Sequence, residues 1–190
     1  MDYIDRKLKN NLINAVKTHP IVFLNGPRQA GKTTLVQNLA KTEFPAKYIT
    51  FDNITQMAAA SNNPKSFLQN RDSSLIIDEV QLVPEIFREL KIVIDELRQQ
   101  NKSTNIKGEF LLTGSANIMA LPKLSNALVG RMGVLTLYPF SATEVMSGKG
   151  DFLTRIFAGE FFQDNNKFNL TDIIRCATYP EISGARMLER

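Results

Sequence analysis

The chain has little of what disulfide-bonded, zinc-binding and membrane-spanning proteins need. Its 190 residues include one cysteine and one histidine, which excludes an internal disulfide and a zinc site built from Cys and His. No apolar run approaches the roughly 18 residues of a membrane-spanning helix. The first ten residues, MDYIDRKLKN, are charged and lack the apolar centre of a signal peptide. We therefore expect a cytoplasmic protein without a membrane partner.

An excess of one charge sign is also nearly absent. The chain has 23 basic and 19 acidic residues, a formal net charge of +4. This small excess permits contact with nucleic acid without indicating it, so DNA remains an alternative partner. Apolar residues make up 43% of the chain, which is sufficient for a hydrophobic core. The length fits one domain, or one domain and the start of another.

Short apolar runs alternate with segments of helical periodicity. Continuous apolar runs of this kind are typical of parallel strands buried on both faces. The predicted strands are IVFLNG (21–26), YITFDN (48–53), SLIIDEV (74–80), GEFLLTGS (108–115) and RMGVLTLYPF (131–140). The predicted helices are 5–19, 32–41, 54–70 with a break at Pro64, and a long helix that starts at Pro84. This alternation predicts an α/β fold, with a mostly parallel five-stranded sheet and helices on both faces.

Two regions are predicted along the chain. Residues 1–146 contain all the predicted strands and form a core with the leading helix 5–19. The stretch SGKG at 147–150 is a predicted linker. Residues 147–190 are predicted to be the helical start of a second region, divided by a polar turn at 164–169.

A glycine-rich segment, GPRQAGKTT, follows the first predicted strand and opens the next helix. It fits the phosphate-binding pattern G-x-x-x-x-G-K-[ST], and its position between strand and helix favours this over an ordinary turn. Glycines let successive backbone N–H groups turn toward phosphate oxygens, and the helix adds its positive dipole end. We expect Lys32 to contact the β- and γ-phosphates and Thr33 to bind Mg²⁺. The predicted phosphate-binding residues are Gly26, Pro27, Arg28, Gln29, Ala30, Gly31, Lys32, Thr33 and Thr34. Arg28 and Gln29 lie at the loop tip, where they could face solvent, nucleotide or a partner.

An acidic pair, Asp78 and Glu79, ends the third predicted strand. Ligands of open α/β sheets bind at the carboxyl ends of strands, so we expect Asp78 to hold Mg²⁺ and Glu79 to act as the general base toward water. The alternative is that two acids only terminate a buried strand. The chain has no arginine-rich lid of a small-molecule kinase. Its nearest match to the guanine-reading Asn-Lys-x-Asp element, at 166–169, lacks the aspartate, so adenine is the preferred base.

Three further positions have an open interpretation. Asp52 could reach the site or cap the next helix. Thr113 and Ser115, at the end of the fourth strand, could contact the γ-phosphate as a sensor or cap the following helix, for which Asn117 is another candidate. Arg131 could act as an arginine finger, in its own subunit or a neighbouring one, or be an ordinary ion-paired residue.

These motifs together resemble the prokaryotic AAA-type ATP-binding proteins that carry a C-terminal domain of unknown function. The resemblance is carried by YIDRKLKNNL, FLNGPRQAGKTTL, LIIDEVQLVPEIF, FLLTGSAN, LVGRMGVLTLYPFSATE and CATYPEIS. It implies an AAA-like P-loop NTPase core with strand order 5-1-4-3-2, and ATP and Mg²⁺ as ligands. It also implies catalytic roles for Lys32, Glu79, Thr113 or Ser115, and Arg131. Relatives continue into a second domain near YPEIS, so we expect this chain to be an N-terminal portion.

The function expected from these observations is ATP hydrolysis with Mg²⁺, coupled to a conformational change in a second domain or partner. The partner would be another copy of the chain or a different protein. The alternative is a nucleotide-gated binding module that does not hydrolyse ATP and associates with DNA.

Overall fold

The structure is a computed structural model, and it describes residues 3–100, 105–115, 128, 130–145 and 157–159. The helices are α1 Leu8–Val16, α2 Lys32–Lys41, α3 Ile54–Asn62, α4 Pro64–Gln69, α5 Ile86–Gln100 and α6 Ala142–Val145. The strands are β1 Ile21–Asn25, β2 Lys47–Thr50, β3 Leu75–Asp78, β4 Phe110–Gly114 and β5 Met132–Thr136. A single 3₁₀ turn, Val80–Leu82, follows β3.

The five strands form one parallel sheet in the order β2-β3-β4-β1-β5. This order confirms the expected 5-1-4-3-2 arrangement. Strand β4 lies between β1, which leads into the glycine-rich loop, and β3, which ends in the acidic pair. Because all strands are parallel, the segments that follow β1, β3 and β4 meet at one edge of the sheet.

The core lies on both faces of the sheet, as the continuous apolar strands predicted. On β1, Ile21 and Phe23 face the cluster that contains the buried residues of α3, α4 and α5. Val22 and Leu24 face the opposite cluster, which contains the buried residues of α1 and α2. All four side chains are fully buried. Burial of such a side chain contributes about 1.5–3 kcal/mol, so the central strands are firmly fixed beneath the site.

The predicted helices are confirmed: α2 has the predicted bounds, and the others have shifted ends. The predicted break at Pro64 separates α3 from α4, and the side chain of Asn63 caps α4 by accepting a hydrogen bond from Ser66 N at 3.0 Å. The long helix starts at Ile86 rather than Pro84. The leading helix covers Leu8–Val16 only, within the predicted 5–19.

All five strands end earlier than predicted, and for two of them, β3 and β5, the local backbone explains the stop. Strand β3 stops at Asp78 because Glu79 adopts a left-handed backbone conformation with φ of 55°. Strand β5 stops at Thr136, and Pro139, which has no backbone N–H for a sheet ladder, follows shortly after. The prediction extended both strands because apolar residues continue beyond these points in the sequence.

Other predictions fall outside the described residues. They include the linker at 147–150, the polar turn at 164–169, and Asn117. Within the part of the chain that the structure describes, no helix combines the length and apolar character needed to cross a bilayer.

Candidate active site

The loop between β1 and α2 has the backbone conformation of an anion-binding nest. Gln29 and Gly31 have φ of 62° and 88°, and Ala30 between them is fully buried. Gly31 is the N-cap of α2, a position where its left-handed conformation would strain any residue with a side chain. Positive φ at Gln29 and Gly31 alternates with negative φ at Ala30. This alternation turns successive N–H groups to one side, at the positive end of the helix dipole.

The first glycine of the loop is required by a close approach rather than by a turn. A Cβ atom added to Gly26 would lie 2.2 Å from the carbonyl oxygen of Leu137. Leu137 N also donates to Asn25 O at 2.8 Å. The segment after β5 is therefore packed directly against the start of the loop.

Lys32, the first residue of α2, is 5% exposed. Its Nζ donates to the carbonyl oxygens of Gly26 at 2.9 Å and Pro27 at 2.8 Å. Burial lowers the pKa of Lys32, while the nearby carboxylates of Glu79 and Asp78 act in the opposite direction. The ammonium group thus lies over the loop, where a phosphate oxygen would complete its coordination.

Asp78 is the hub of the hydrogen bonds at this edge, and it is 2% exposed. Its Oδ2 accepts from Thr33 Oγ1 at 2.7 Å and from the hydroxyl of Tyr48 at 2.8 Å. Its Oδ1 accepts from the hydroxyl of Thr113 and from Glu79 N at 3.2 Å. The structure therefore brings together the predicted residues Thr33, Asp78 and Thr113.

Tyr48, on β2, is a member of the site that sequence reasoning missed. Burial raises the pKa of its hydroxyl, and the hydrogen bond to Asp78 raises it further, so the group remains a proton donor. Only the position of Tyr48 within a strand that neighbours β3 could have suggested this contact.

Glu79 is connected to the rest of the site through Gln81, which sequence reasoning also missed. Gln81 Nε2 donates to Glu79 Oε2 and contacts Ser115 Oγ at 3.3 Å. Gln81 Oε1 is buried and has no hydrogen-bond partner among the described residues. Ser115 thus contacts Gln81, which bonds Glu79, whereas Thr113 contacts Asp78 directly. The helix-capping alternative for these two residues concerns a segment outside the described residues.

Arg131 lies at the other edge of the sheet. It precedes Met132, which pairs with Ile21 at the amino end of β1. Its guanidinium forms an ion pair with Asp95 on α5, with Nε–Oδ1 at 2.9 Å and Nη2–Oδ2 at 3.2 Å. Five strand residues separate this edge from the loop, a distance of about 16 Å. Arg131 is therefore ion-paired and does not reach the loop of its own chain.

Asp52 is exposed and does not cap α3. The cap is Asn53, whose side chain accepts from Thr55 N at 3.0 Å and Gln56 N at 3.1 Å. Asn53 is one residue closer to the helix and can bond the first free N–H groups of α3.

The donor set at this edge fits Mg²⁺. Thr33 and Asp78 present a hydroxyl and a carboxylate oxygen 2.7 Å apart, and both are hard oxygen ligands. Mg²⁺ in proteins is commonly held by one or two such groups, together with water and substrate phosphates.

A family model described as an AAA domain matches residues 18–146. The chain belongs to this AAA domain family. The match covers the whole sheet, the glycine-rich loop and the acidic pair.

Two mycobacterial relatives are 32% identical to the chain over 143 residues, which is 75% of its length. They are the uncharacterized proteins Rv2008c of Mycobacterium tuberculosis and Mb2031c of Mycobacterium bovis. The aligned part makes up 30% of each relative, so this AAA domain corresponds to less than a third of their length.

Two solved structures resemble the fold at low identity. The Walker-type ATPase paby2304 of Pyrococcus abyssi has a TM-score of 0.49 and 15% identity, with coverage of 98% of this chain and 63% of that one. Cdc6p from Pyrobaculum aerophilum has a TM-score of 0.48 and 14% identity, with coverage of 100% and 65%. At this level the likeness carries no information about activity.

Proposed function

We propose that this AAA domain binds Mg²⁺-ATP and hydrolyses it to ADP and phosphate. The observation that carries the proposal is the contact between Thr33 and Asp78, because it joins the phosphate-binding loop to the acidic strand. An anion nest and an oxygen-rich metal position are thereby adjacent. Glu79, the next residue after Asp78, supplies a carboxylate within the same edge.

In this proposal the nest of N–H groups from Gly26 to Thr33 receives the phosphates, and Lys32 adds a positive charge beside them. Thr33 and Asp78 would hold Mg²⁺, which when bound neutralises phosphate charge and orients the γ-phosphate. Glu79 accepts the proton of the attacking water as general base. Gln81, which donates to Glu79, restrains the carboxylate in one orientation.

We propose that hydrolysis changes the conformation of a further domain or partner. The segment after β5 contacts the loop at Gly26, so a change in the loop can be passed to the chain that follows. The greater length of the mycobacterial relatives supports a further domain. Arg131 would serve as a finger only toward a neighbouring copy in a homo-oligomer, since it is at the opposite edge of its own sheet.

The test is a turnover assay of wild type, Lys32→Ala and Glu79→Gln, with ATP affinity measured alongside. We expect Lys32→Ala to lose ATP binding. We expect Glu79→Gln to bind ATP as wild type does and to release phosphate at background rate. The proposal fails if wild type and Glu79→Gln release phosphate at the same rate.

A nucleotide-gated binding module that does not hydrolyse ATP is the second candidate. It is favoured by the formal net charge of +4, which permits contact with the phosphates of DNA. Its discriminating test is DNA binding with and without ATP at increasing salt, since contact through phosphates must weaken steeply as salt rises.

A further inference from the structure

Arg6, ahead of α1, is a buried arginine whose contacts reach the glycine-rich loop. It is 6% exposed. Its Nη1 donates to the carbonyl oxygen of Ala30 at 2.7 Å, and its Nη2 donates to the carbonyl oxygen of Tyr138 at 2.5 Å. Its Nε donates to Glu144 Oε1 at 3.1 Å, and its guanidinium carbon lies 4.4 Å from the centre of the Phe140 ring. One side chain therefore joins the N-terminal segment, the loop and the segment after β5.

We propose that Arg6 is a positioning residue for phosphate binding, which fixes the peptide between Ala30 and Gly31. This inference rests on the proposed function. In a trans peptide the C=O and the following N–H point in opposite directions, and the described residues include no cis peptide. By holding Ala30 O on one side, Arg6 directs Gly31 N–H to the other side, into the nest.

The fixed peptide matters because a glycine at position 31 does not by itself determine the orientation of the peptide before it. Gly31 permits both orientations of the preceding peptide, and only one of them presents its N–H to a phosphate. A hydrogen bond from a charged guanidinium to Ala30 O also polarises the peptide and strengthens Gly31 N–H as a donor.

The guanidinium itself is held rigidly. Glu144 Oε1 also accepts from Lys7 N at 2.8 Å, and Oε2 accepts from Ser141 N at 2.8 Å and Ser141 Oγ at 3.0 Å. The carboxylate paired with Arg6 is therefore fully bonded. An arginine can donate in three directions from one plane, which a lysine ammonium on a flexible stem cannot reproduce.

The chain offers a matched control at the opposite edge of the sheet, Arg71. It forms an ion pair with Glu109 at 2.6 Å and lies 4.5 Å from the Phe110 ring centre. It also donates to two carbonyl oxygens, those of Leu68 at 3.1 Å and Ser73 at 3.2 Å. Arg71→Ala removes the same types of contact as Arg6→Ala without touching the loop.

The experiment measures the dissociation constants of ATP and ADP by calorimetry for full-length wild type, Arg6→Ala, Arg6→Lys, Arg71→Ala and Lys32→Ala. Loop N–H groups contact the α- and β-phosphates, which both nucleotides carry. We expect Arg6→Ala to weaken ATP and ADP by the same factor, about tenfold or more. Arg71→Ala should bind both nucleotides as wild type does. The affinity of Arg6→Lys should lie between that of wild type and that of Arg6→Ala. In turnover, Arg6→Ala should raise KM and leave kcat unchanged, because a lost ground-state contact has this signature.

The outcomes separate this inference from the function on which it rests. If Arg6→Ala binds both nucleotides as wild type does, while Lys32→Ala loses them, Arg6 only fastens the N-terminal segment and the inference is overturned. Equal weakening by Arg6→Ala and Arg71→Ala overturns it too, since general destabilisation then explains the effect. If Arg6→Ala does not fold, wild-type affinity in Arg6→Lys is the overturning result. If wild type binds neither nucleotide, the proposed function itself fails, and the inference with it.

Discussion

The hydroxyl of Thr33 donates to Asp78 Oδ2 at 2.7 Å, although 45 positions separate the two residues. The contact crosses from the start of α2 to the end of β3, past the intervening strand β4. Its hydroxyl and carboxylate are hard oxygen ligands at the same edge as Lys32. We therefore expect the effect of Mg²⁺ on nucleotide binding to require Thr33 and Asp78.

Thr33→Val tests that dependence, with Thr33→Ser as its control. Valine keeps the shape of threonine and removes the hydroxyl, whereas serine keeps the hydroxyl. In wild type, Mg²⁺ should increase the affinity for ATP, and we expect Thr33→Val to lose this increase. In the presence of Mg²⁺ the variant should therefore bind ATP about 10- to 100-fold more weakly than wild type. ATP affinity in EDTA should be similar for all three proteins. Equal Mg²⁺ dependence in Thr33→Val and wild type would remove Thr33 from the metal site.

The parts of the site that sequence could predict are those that depend on local pattern or on strand direction. The loop from Gly26 to Thr33 follows a strand and opens a helix, and its meeting with Asp78 follows from the common carboxyl edge of parallel strands. The strand order was implied by the family resemblance, because periodicity contains no information about which strands are neighbours.

The parts that sequence could not predict are contacts between distant residues without a motif. Tyr48 and Asp78 are 30 positions apart, and Arg6 and Glu144 are 138 apart. Only the folded chain brings them together. Arg131 illustrates the same limit, because its position after a glycine did not show at which edge of the sheet it would lie.

Gln81→Met should separate the chemical step from nucleotide binding. Methionine fills a similar volume but cannot donate to Glu79 or Ser115. We expect ATP affinity to stay as in wild type and kcat to fall by about tenfold, because the carboxylate of Glu79 loses its fixed orientation. The measurement is steady-state turnover together with the dissociation constant of ATP.

A matched control for this variant is Gln69→Met. Gln69 Nε2 also donates to a glutamate, Glu96 Oε2 at 2.7 Å, but on the exposed surface of α4 and α5. Gln69→Met should leave kcat unchanged. Our interpretation of Gln81 is wrong if both variants have wild-type kcat.

Gly26→Ala should destabilise the fold more than Gly130→Ala. The added Cβ at Gly26 would lie 2.2 Å from Leu137 O, so backbone must move, at a cost of about 1–3 kcal/mol or more. At Gly130, φ is +71° and no atom of the described residues lies within 4 Å of an added Cβ. Only the left-handed backbone is then strained, by about 1–2 kcal/mol. Urea unfolding of the two variants measures the difference. Similar midpoints would show that the segment after β5 does not pack tightly on the loop.

The stability supplied by Glu144 should disappear at acidic pH. Burial pushes the pKa of Glu144 up, but hydrogen bonds from Ser141 N, Lys7 N and the Arg6 guanidinium outweigh it, and the pKa lies below its ordinary 4.5. A carboxylate with a lowered pKa in the folded state stabilises the fold above the unfolded-state pKa, and this contribution is lost as pH falls through the lowered value.

The measurement is the free energy of unfolding of wild type and Glu144→Gln against pH. Wild type should be more stable at neutral pH, because Glu144→Gln leaves the buried Arg6 without a counter-charge. The difference should shrink below pH 4.5 and vanish below the lowered pKa. Glu43→Gln is the control, since hydrogen bonds from Thr42 and Lys9 also lower the pKa of Glu43, but at an exposed position. High salt should suppress the effect of Glu43→Gln and leave that of Glu144→Gln, because buried pairs are little screened. A stability difference for Glu144→Gln that does not change with pH would contradict the ion pair with Arg6.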